Sequence, residues 1–204
     1  GIQDDTAAIQ KAILDHEGSG RQIYFPNGTY LVSNTLKFTG NQSFSRNWLF
    51  GNNHMLGESR GGAILQLKDN TFTNPASPKP VIDFGQTSFW NGSWEQNTAD
   101  WFKNSIANLT IRIGRGNTGA KGLQFYSNNT GTVRSVRIIS ADGGGLVGLE
   151  LGHADQNGPL LVENLEVDGF DTGIHTGGTV NSLTFEEIRL NRQSRYAFNN
   201  EGQN

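Results

Sequence analysis

Hydrophobic positions along this chain come in short bursts rather than long stripes. After Asp4-Asp5-Thr6, whose side chains suit a helix N-cap, Ala8, Ile9, Ala12 and Ile13 recur at helical spacing, and Gly18 and Gly20 end the run. This predicts one helix within residues 1–20. Everything after it reads as short strands cut by Gly, Asn and Ser. Ile23-Tyr24-Phe25 leads into a Pro26-Asn27-Gly28 turn, and residues 29–32, 63–67 and 81–84 are further strands.

The second half carries an internal repeat. The apolar triplet Ile106, Leu109, Ile111 returns as Val133, Val136, Ile138, then as Val162, Leu165, Val167, and again as Phe185, Ile188, Leu190, at offsets of 27, 29 and 23 residues. A second element follows each copy: Gly122-Leu123-Gln124, Gly148-Leu149-Glu150, Gly173-Ile174-His175 and a weaker Ala197-Phe198-Asn199. Periods of this length mean a solenoid, a propeller or an array. The units hold strands and no helix, and too few strands for a propeller blade. The pattern therefore predicts an all-β parallel β-helix, each repeat one coil, with the variable offsets absorbed in loops. The N-terminal helix would cap one end. Residues 21–105 read as irregular first coils with long loops, and residues 106–199 as regular coils. The chain opens inside a polar segment without Met and has no comparable cap at its other end, so a single β-helix domain over 1–204, itself a fragment or N-terminal half of a longer chain, is expected. An open last coil, with Phe198 at its edge, would invite association.

Composition removes several functions. The chain has 204 residues, of which 34% are hydrophobic; it holds 27 Gly, one Met and five Pro, a poor mixture for long helices. A net charge of −3 with mixed signs gives no footprint for nucleic acid. No apolar run approaches the roughly 18–20 residues that span a bilayer. Without Cys there are no disulfides, thiolate metal sites or thiol nucleophile.

Stacked coils turn aligned positions into ladders about 4.8 Å apart. One outward column is Gln124, Glu150, His175, Asn199; a second is Thr110, Arg137, Glu166, Arg189; a third is Ala107, Arg134, Glu163, Glu186. Asn108, Ser135, Asn164 and Glu187 share a position that reads as a bend. Glu150 beside His175 is a candidate acid/base pair. Glu163 beside Glu186 is a candidate glycosidase-type carboxylate pair. The bland alternatives are a surface polar ladder for the first, and neutralisation by Arg134 and Arg189 for the second. Trp90, Trp94 and Trp101 lie in a polar stretch and are candidate stacking rings for sugar, with Gln124 and Asn199 as polar floor; the alternative is a cluster folding the loop onto the coils. Asp142, Asp155, Asp168 and Asp171 sit in Gly-rich turns, where Asx-turn capping competes with binding of Ca²⁺ or substrate. His54 and His153 are isolated, and no His cluster has metal spacing. No cofactor is expected, Ca²⁺ being the one ion these turns would suit.

Asp4-Asp5-Thr6-Ala7-Ala8-Ile9-Gln10-Lys11-Ala12-Ile13, followed by Tyr24-Phe25-Pro26-Asn27-Gly28-Thr29-Tyr30, resembles the pectate-lyase superfamily domain of rhamnogalacturonase/epimerase type. The layout from Asn104 to Asn199 is similar to that of proteins related to glycoside hydrolase families 28 and 55. The resemblance implies a right-handed, single-stranded parallel β-helix, an extracellular or secreted setting and a polysaccharide partner. It implies a glycoside hydrolase first. A non-catalytic polysaccharide-binding or tail-spike-like adhesion module, and a pectate or polysaccharide lyase, are the alternatives. The paired-Asp and Gly-His-Gly motifs of polygalacturonases, and the Asp-rich calcium cluster with a basic Arg motif of pectate lyases, are not found.

Overall fold

Each copy of the apolar triplet covers two faces of one coil across a bend, as one continuous strand in the first two copies and as two strands in the last two. The following Gly-apolar-polar segment forms the third face. The computed structural model describes residues 3–38, 51–85, 87–90, 93–96, 101–152, 157–177 and 182–201, with backbone alone for 87–90 and 93–96. Coil one holds β1 (Gln22–Phe25), β2 (Gly28–Val32) and β3 (Leu36–Lys37), and coil two β4 (His54–Gly57), β5 (Ala63–Leu67) and β6 (Lys79–Asp83). A hairpin, β7 (Thr87–Trp90) and β8 (Ser93–Gln96), separates these from coil three, β9 (Ser105–Ile113) and β10 (Ala120–Gln124). Coil four is β11 (Asn128–Ser140) and β12 (Val147–Glu150). Coil five is β13 (Gly158–Glu163), β14 (Glu166–Asp168) and β15 (Thr172–Thr176). Coil six is β16 (Leu183–Glu186), β17 (Arg189–Asn191) and β18 (Tyr196–Asn200).

Pairing between coils is parallel throughout, which makes this a parallel β-helix of three faces. The first face runs β1, β4, the start of β9, the middle of β11, β13 and β16. The second runs β2, β5, the ends of β9 and β11, β14 and β17. The third runs β3, β6, β10, β12, β15 and β18. The triplets stack as the periodicity predicts: Ile106 pairs with Val133, Val133 with Val162, and Val162 with Phe185. The first two coils, expected to be irregular, also stack in register on β9 and β10; only their connecting loops are long.

The bend between first and second faces has a local cause. Asn108, Ser135, Asn164 and Glu187 all have left-handed backbone, with φ between 51° and 55°. Asn tolerates that region best after Gly, so the bend is written into the sequence wherever Asn stands. The glycines opening the third face answer a different need. A Cβ on Gly122 would lie 2.3 Å from Ile138, and one on Gly148 would lie 2.3 Å from Val167, so their absence lets second-face side chains reach the third sheet. Val133, Val136, Ile138, Leu149, Val162, Leu165, Val167 and Ile174 are fully buried inside. Phe38 stacks on Phe84 at 4.6 Å, and Phe84 meets Phe125 at 4.9 Å, forming an aromatic column at one corner.

The helix α1 (Thr6–His16) closes the first coil, burying Ile9 and Ile13. It also satisfies the sheet edge. The Leu31 N–H donates to Asp5 Oδ2 at 3.1 Å, the Ser33 N–H to Thr6 Oγ1 at 2.8 Å, and the Gln10 amide exchanges two hydrogen bonds of 2.8 Å with the Lys37 backbone. In the last coil Leu183, Phe185, Ile188 and Leu190 are only half-buried, and Phe198 is 42% exposed.

Candidate functional site

The column Gln124, Glu150, His175, Asn199 exists as read, rung on rung, and extends two coils further through Asp83 and Lys37. It is less open than its position suggests: Asp83, Gln124 and Glu150 are buried. Both Glu150 oxygens are engaged. His175 Nδ1–H donates to Oε1 at 2.6 Å, the Gly152 N–H donates to the same oxygen, and Lys121 Nζ holds Oε2 at 2.7 Å. Burial alone would raise the Glu150 carboxyl, but the His175 hydrogen bond and the Lys121 charge outweigh it and hold the pKa at about 2. The Glu150 hydrogen bond raises the His175 pKa against the opposing effect of burial. His175 Nε2 faces Glu201 at 3.5 Å. Gln124 is committed to Asp83 at 3.0 Å, and Asn199 donates to Glu201 at 2.7 Å.

The outer side of the first face is different. Its two columns run Gln22, His54, Ser105, Thr132, Leu161, Thr184 and Tyr24, Leu56, Ala107, Arg134, Glu163, Glu186. Glu163 and Glu186 stand on neighbouring rungs, about 4.8 Å apart at the backbone. Arg134 Nε binds Glu163 at 2.7 Å, which is the neutralisation expected from Arg134; Arg189 pairs with neither. Glu186 has no ion pair among the described residues and is exposed. Beside them opens a groove of about 400 Å³, lined by Thr130, Thr132, Pro159, Leu161, Ser182 and Thr184 among others. His54 sits further along, bonded to Ser105 and Asn52, with its pKa lowered by burial.

The remaining candidates divide. Trp101 is completely buried, its ring against Gly85, where a Cβ would come within 2.3 Å. It therefore fills the core and offers no face to a sugar, the outcome expected of a cluster that folds the loop inward. Trp90 and Trp94 lie on β7 and β8, an antiparallel hairpin where a polar loop was expected; their side chains lie outside the described residues. Asp155 and His153 also lie outside them. Asp142 accepts from the Gly116 and Gly144 N–H groups, Asp168 pairs with Arg192 at 2.6 Å, and Asp171 accepts from Ser194 at 2.5 Å. Among the described residues no group of three or more His, Asp or Glu is placed to share a metal ion. In the second column Arg137 meets Glu166 at 3.1 Å, and Arg60 reaches over from coil two to bind it at 3.2 Å. Arg60, Lys121 and Glu201 have no repeat of their own and were not legible. Asp83 and Lys37 had a signal: the apolar-polar pairs Leu36-Lys37 and Ile82-Asp83 match Leu123-Gln124, at offsets of 46 and 41 residues.

Among curated proteins the chain is similar to a glucan 1,3-beta-glucosidase of Cochliobolus carbonum, 23% identical over 186 residues. The match takes in 91% of this chain and 20% of the relative, so the chain spans about a fifth of that protein's length. Among solved structures it resembles ORF18 of Geobacillus virus E2, with a TM-score of 0.51 at 17% identity, covering 94% of this chain and 38% of that one, a likeness of fold. No helix among the described residues is long and apolar enough to cross a membrane. The family model described as rhamnogalacturonase A/epimerase, pectate lyase-like matches residues 1–204, and with the parallel coils this establishes that the chain belongs to that family of β-helix proteins.

Proposed function

We propose that the chain is part of a glycoside hydrolase acting on a polysaccharide that lies along the outer side of the first face, with Glu163 and Glu186 as its carboxylate pair. The observation that supports this is the pair itself: two carboxylates on neighbouring outward rungs, one tied to Arg134 and one without an ion pair among the described residues, beside an open groove. Retaining glycosidases use carboxyl groups about 5–5.5 Å apart, one nucleophile and one acid/base. Arg134 fixes the position of the Glu163 carboxylate, the nucleophile in this reading. Glu186 then donates its proton to the leaving glycosidic oxygen while Glu163 Oε attacks the anomeric carbon. In the second half Glu186 takes a proton from a water whose oxygen bonds to the anomeric carbon as the Glu163–sugar bond breaks, giving net retention. Glu150 and His175 are read here as a strut between coils, because both Glu150 oxygens are already engaged. Trp90 and Trp94 remain proposed stacking rings, carried by the hairpin between the third and first faces. Secretion is proposed with the enzyme, since its substrate is an extracellular polymer.

A non-catalytic binding or adhesion module is the second reading. It is favoured by the exposure of Glu186, whose carboxyl stands open to water rather than in a closed site. Product analysis separates the readings. A retaining hydrolase releases reducing ends whose first-formed anomer keeps the configuration of the bond cut, without ultraviolet absorbance. A lyase yields absorbing unsaturated ends. Retention of polysaccharide with neither product supports the module.

A further inference from the structure

The groove beside Glu163 and Glu186 has a chemistry of its own. Among the described residues its lining contains no Lys, Arg or His and no carboxylate. Exposed Pro159 and half-buried Leu161 give an apolar patch, and the hydroxyls of Thr130, Thr132, Ser182 and Thr184 surround it. Thr132 and Thr184 share a column with Leu161 between them, so the two hydroxyl rungs flank the apolar one. Neither hydroxyl has a partner among the described residues. Two residues further along the same strands, about 6–7 Å away, stand Glu163 and Glu186.

We propose that this groove is a binding subsite for an uncharged pyranose ring, the C–H face of the sugar on Leu161 and Pro159 and its hydroxyls on Thr132 and Thr184. A pocket that is mostly apolar with a few placed polar groups is the usual form of a small-ligand site, and about 400 Å³ exceeds one sugar ring. Charge decides between sugar classes. A uronate would bring a carboxylate into a lining without a cation among the described residues, next to Glu163 and Glu186, while Arg134 on the adjoining column is already committed to Glu163. A neutral ring carries no such penalty. The substrate is then a neutral glycan rather than a polyuronate, and the neighbouring sugar falls over the carboxylate pair. The choice of the bond cut rests on the Glu163–Glu186 reading; the subsite does not.

The test is calorimetric titration of the whole chain carrying Glu186→Gln, which prevents consumption of ligand if the hydrolase reading holds. The probes are hexasaccharides of 1,3-β-glucan, 1,4-β-glucan and 1,4-β-mannan, and of 1,4-α-galacturonan. At least one neutral hexamer should bind, and the galacturonan hexamer at least tenfold more weakly. Thr184→Trp, on an exposed rung of the last coil, should fill the groove and weaken neutral binding tenfold or more with an unchanged melting temperature. Leu161→Lys should do the same and improve galacturonan relative to neutral probes. Failure of all neutral hexamers, galacturonan binding as tight as theirs, or neutral binding unaltered by both substitutions would overturn the subsite. The outcome is separable from the hydrolase reading, which fails instead if Glu186→Gln leaves turnover intact while the groove variants lose binding.

Discussion

Protonating Glu150 breaks its charge contact with Lys121 and His175 together, and the pH dependence of stability should show it. The carboxyl titrates near 4.5 when unfolded and at about 2 in the folded chain. Its contribution is therefore present above about pH 4.5 and lost as pH falls towards 2, a difference of about 3 kcal/mol shared by the whole cluster. His175 has the opposite sign. Its raised pKa means stability that is fully present below the ordinary imidazole value of 6.5 and lost as pH rises through the folded one. Melting temperatures measured across pH should lose the alkaline limb in His175→Gln, and in Glu150→Gln the acid limb together with most of the alkaline one, since Glu150 is the main cause of the His175 shift. Parallel curves for all three proteins would contradict the cluster. The left-handed bend makes a second prediction at this scale. Glu187→Gly should stabilise the last coil by about 0.5–1 kcal/mol, because Gly adopts φ of +54° without the Cβ penalty, and Asn164→Ala should cost about 1 kcal/mol. Chemical denaturation reads both. The register of these residues was legible because each coil repeats it. Arg60, Lys121 and Glu201 were not, since their partners are chosen by the approach of loops rather than by spacing.

At the scale of elements, the helix illustrates what a pattern carries and what it leaves out. Ile9 and Ile13 announce its buried face by spacing alone. That Asp5, Thr6 and Gln10 satisfy the open edge of β2 and β3 depends on strands 26 or 27 residues away, so sequence gave no sign of it. Gln10→Ala removes two hydrogen bonds to the Lys37 backbone and should cost about 1–2 kcal/mol, with faster hydrogen exchange at the Lys37 amide. The first two coils escaped recognition as regular ones because loops lengthened their period beyond that of the later copies. Trp101 misled for a related reason: it lies among polar residues in sequence, yet the corner it fills is built by Gly85 and coil four. The core should weaken towards the last coil. Leu165→Ala, in coil five and buried, should cost about 2–5 kcal/mol, and Ile188→Ala, half-buried in coil six, less than half as much.

For the whole molecule, a stack of coils whose interior is filled by apolar side chains directs a polymer to an outer face. The third face is crossed by buried, mutually committed polar groups. The first face offers a continuous outward track from Tyr24 and His54 to Glu186 and Thr184, six rungs or about 24 Å long, enough for several sugar units. Sequence located both pairs, Glu150 with His175 and Glu163 with Glu186, but not the burial that separates them, because burial at Glu150 depends on the assembled coil. The groove was not legible at all: Thr130, Pro159 and Ser182 come from three coils and share no motif. The central claim, that the chain belongs to a hydrolase working at Glu163 and Glu186, is tested most directly by reducing-end release from neutral polysaccharide. Glu186→Gln and Glu163→Gln should each lower the rate at least a hundredfold at an unchanged melting temperature. Equal rates for wild type and both variants would contradict it.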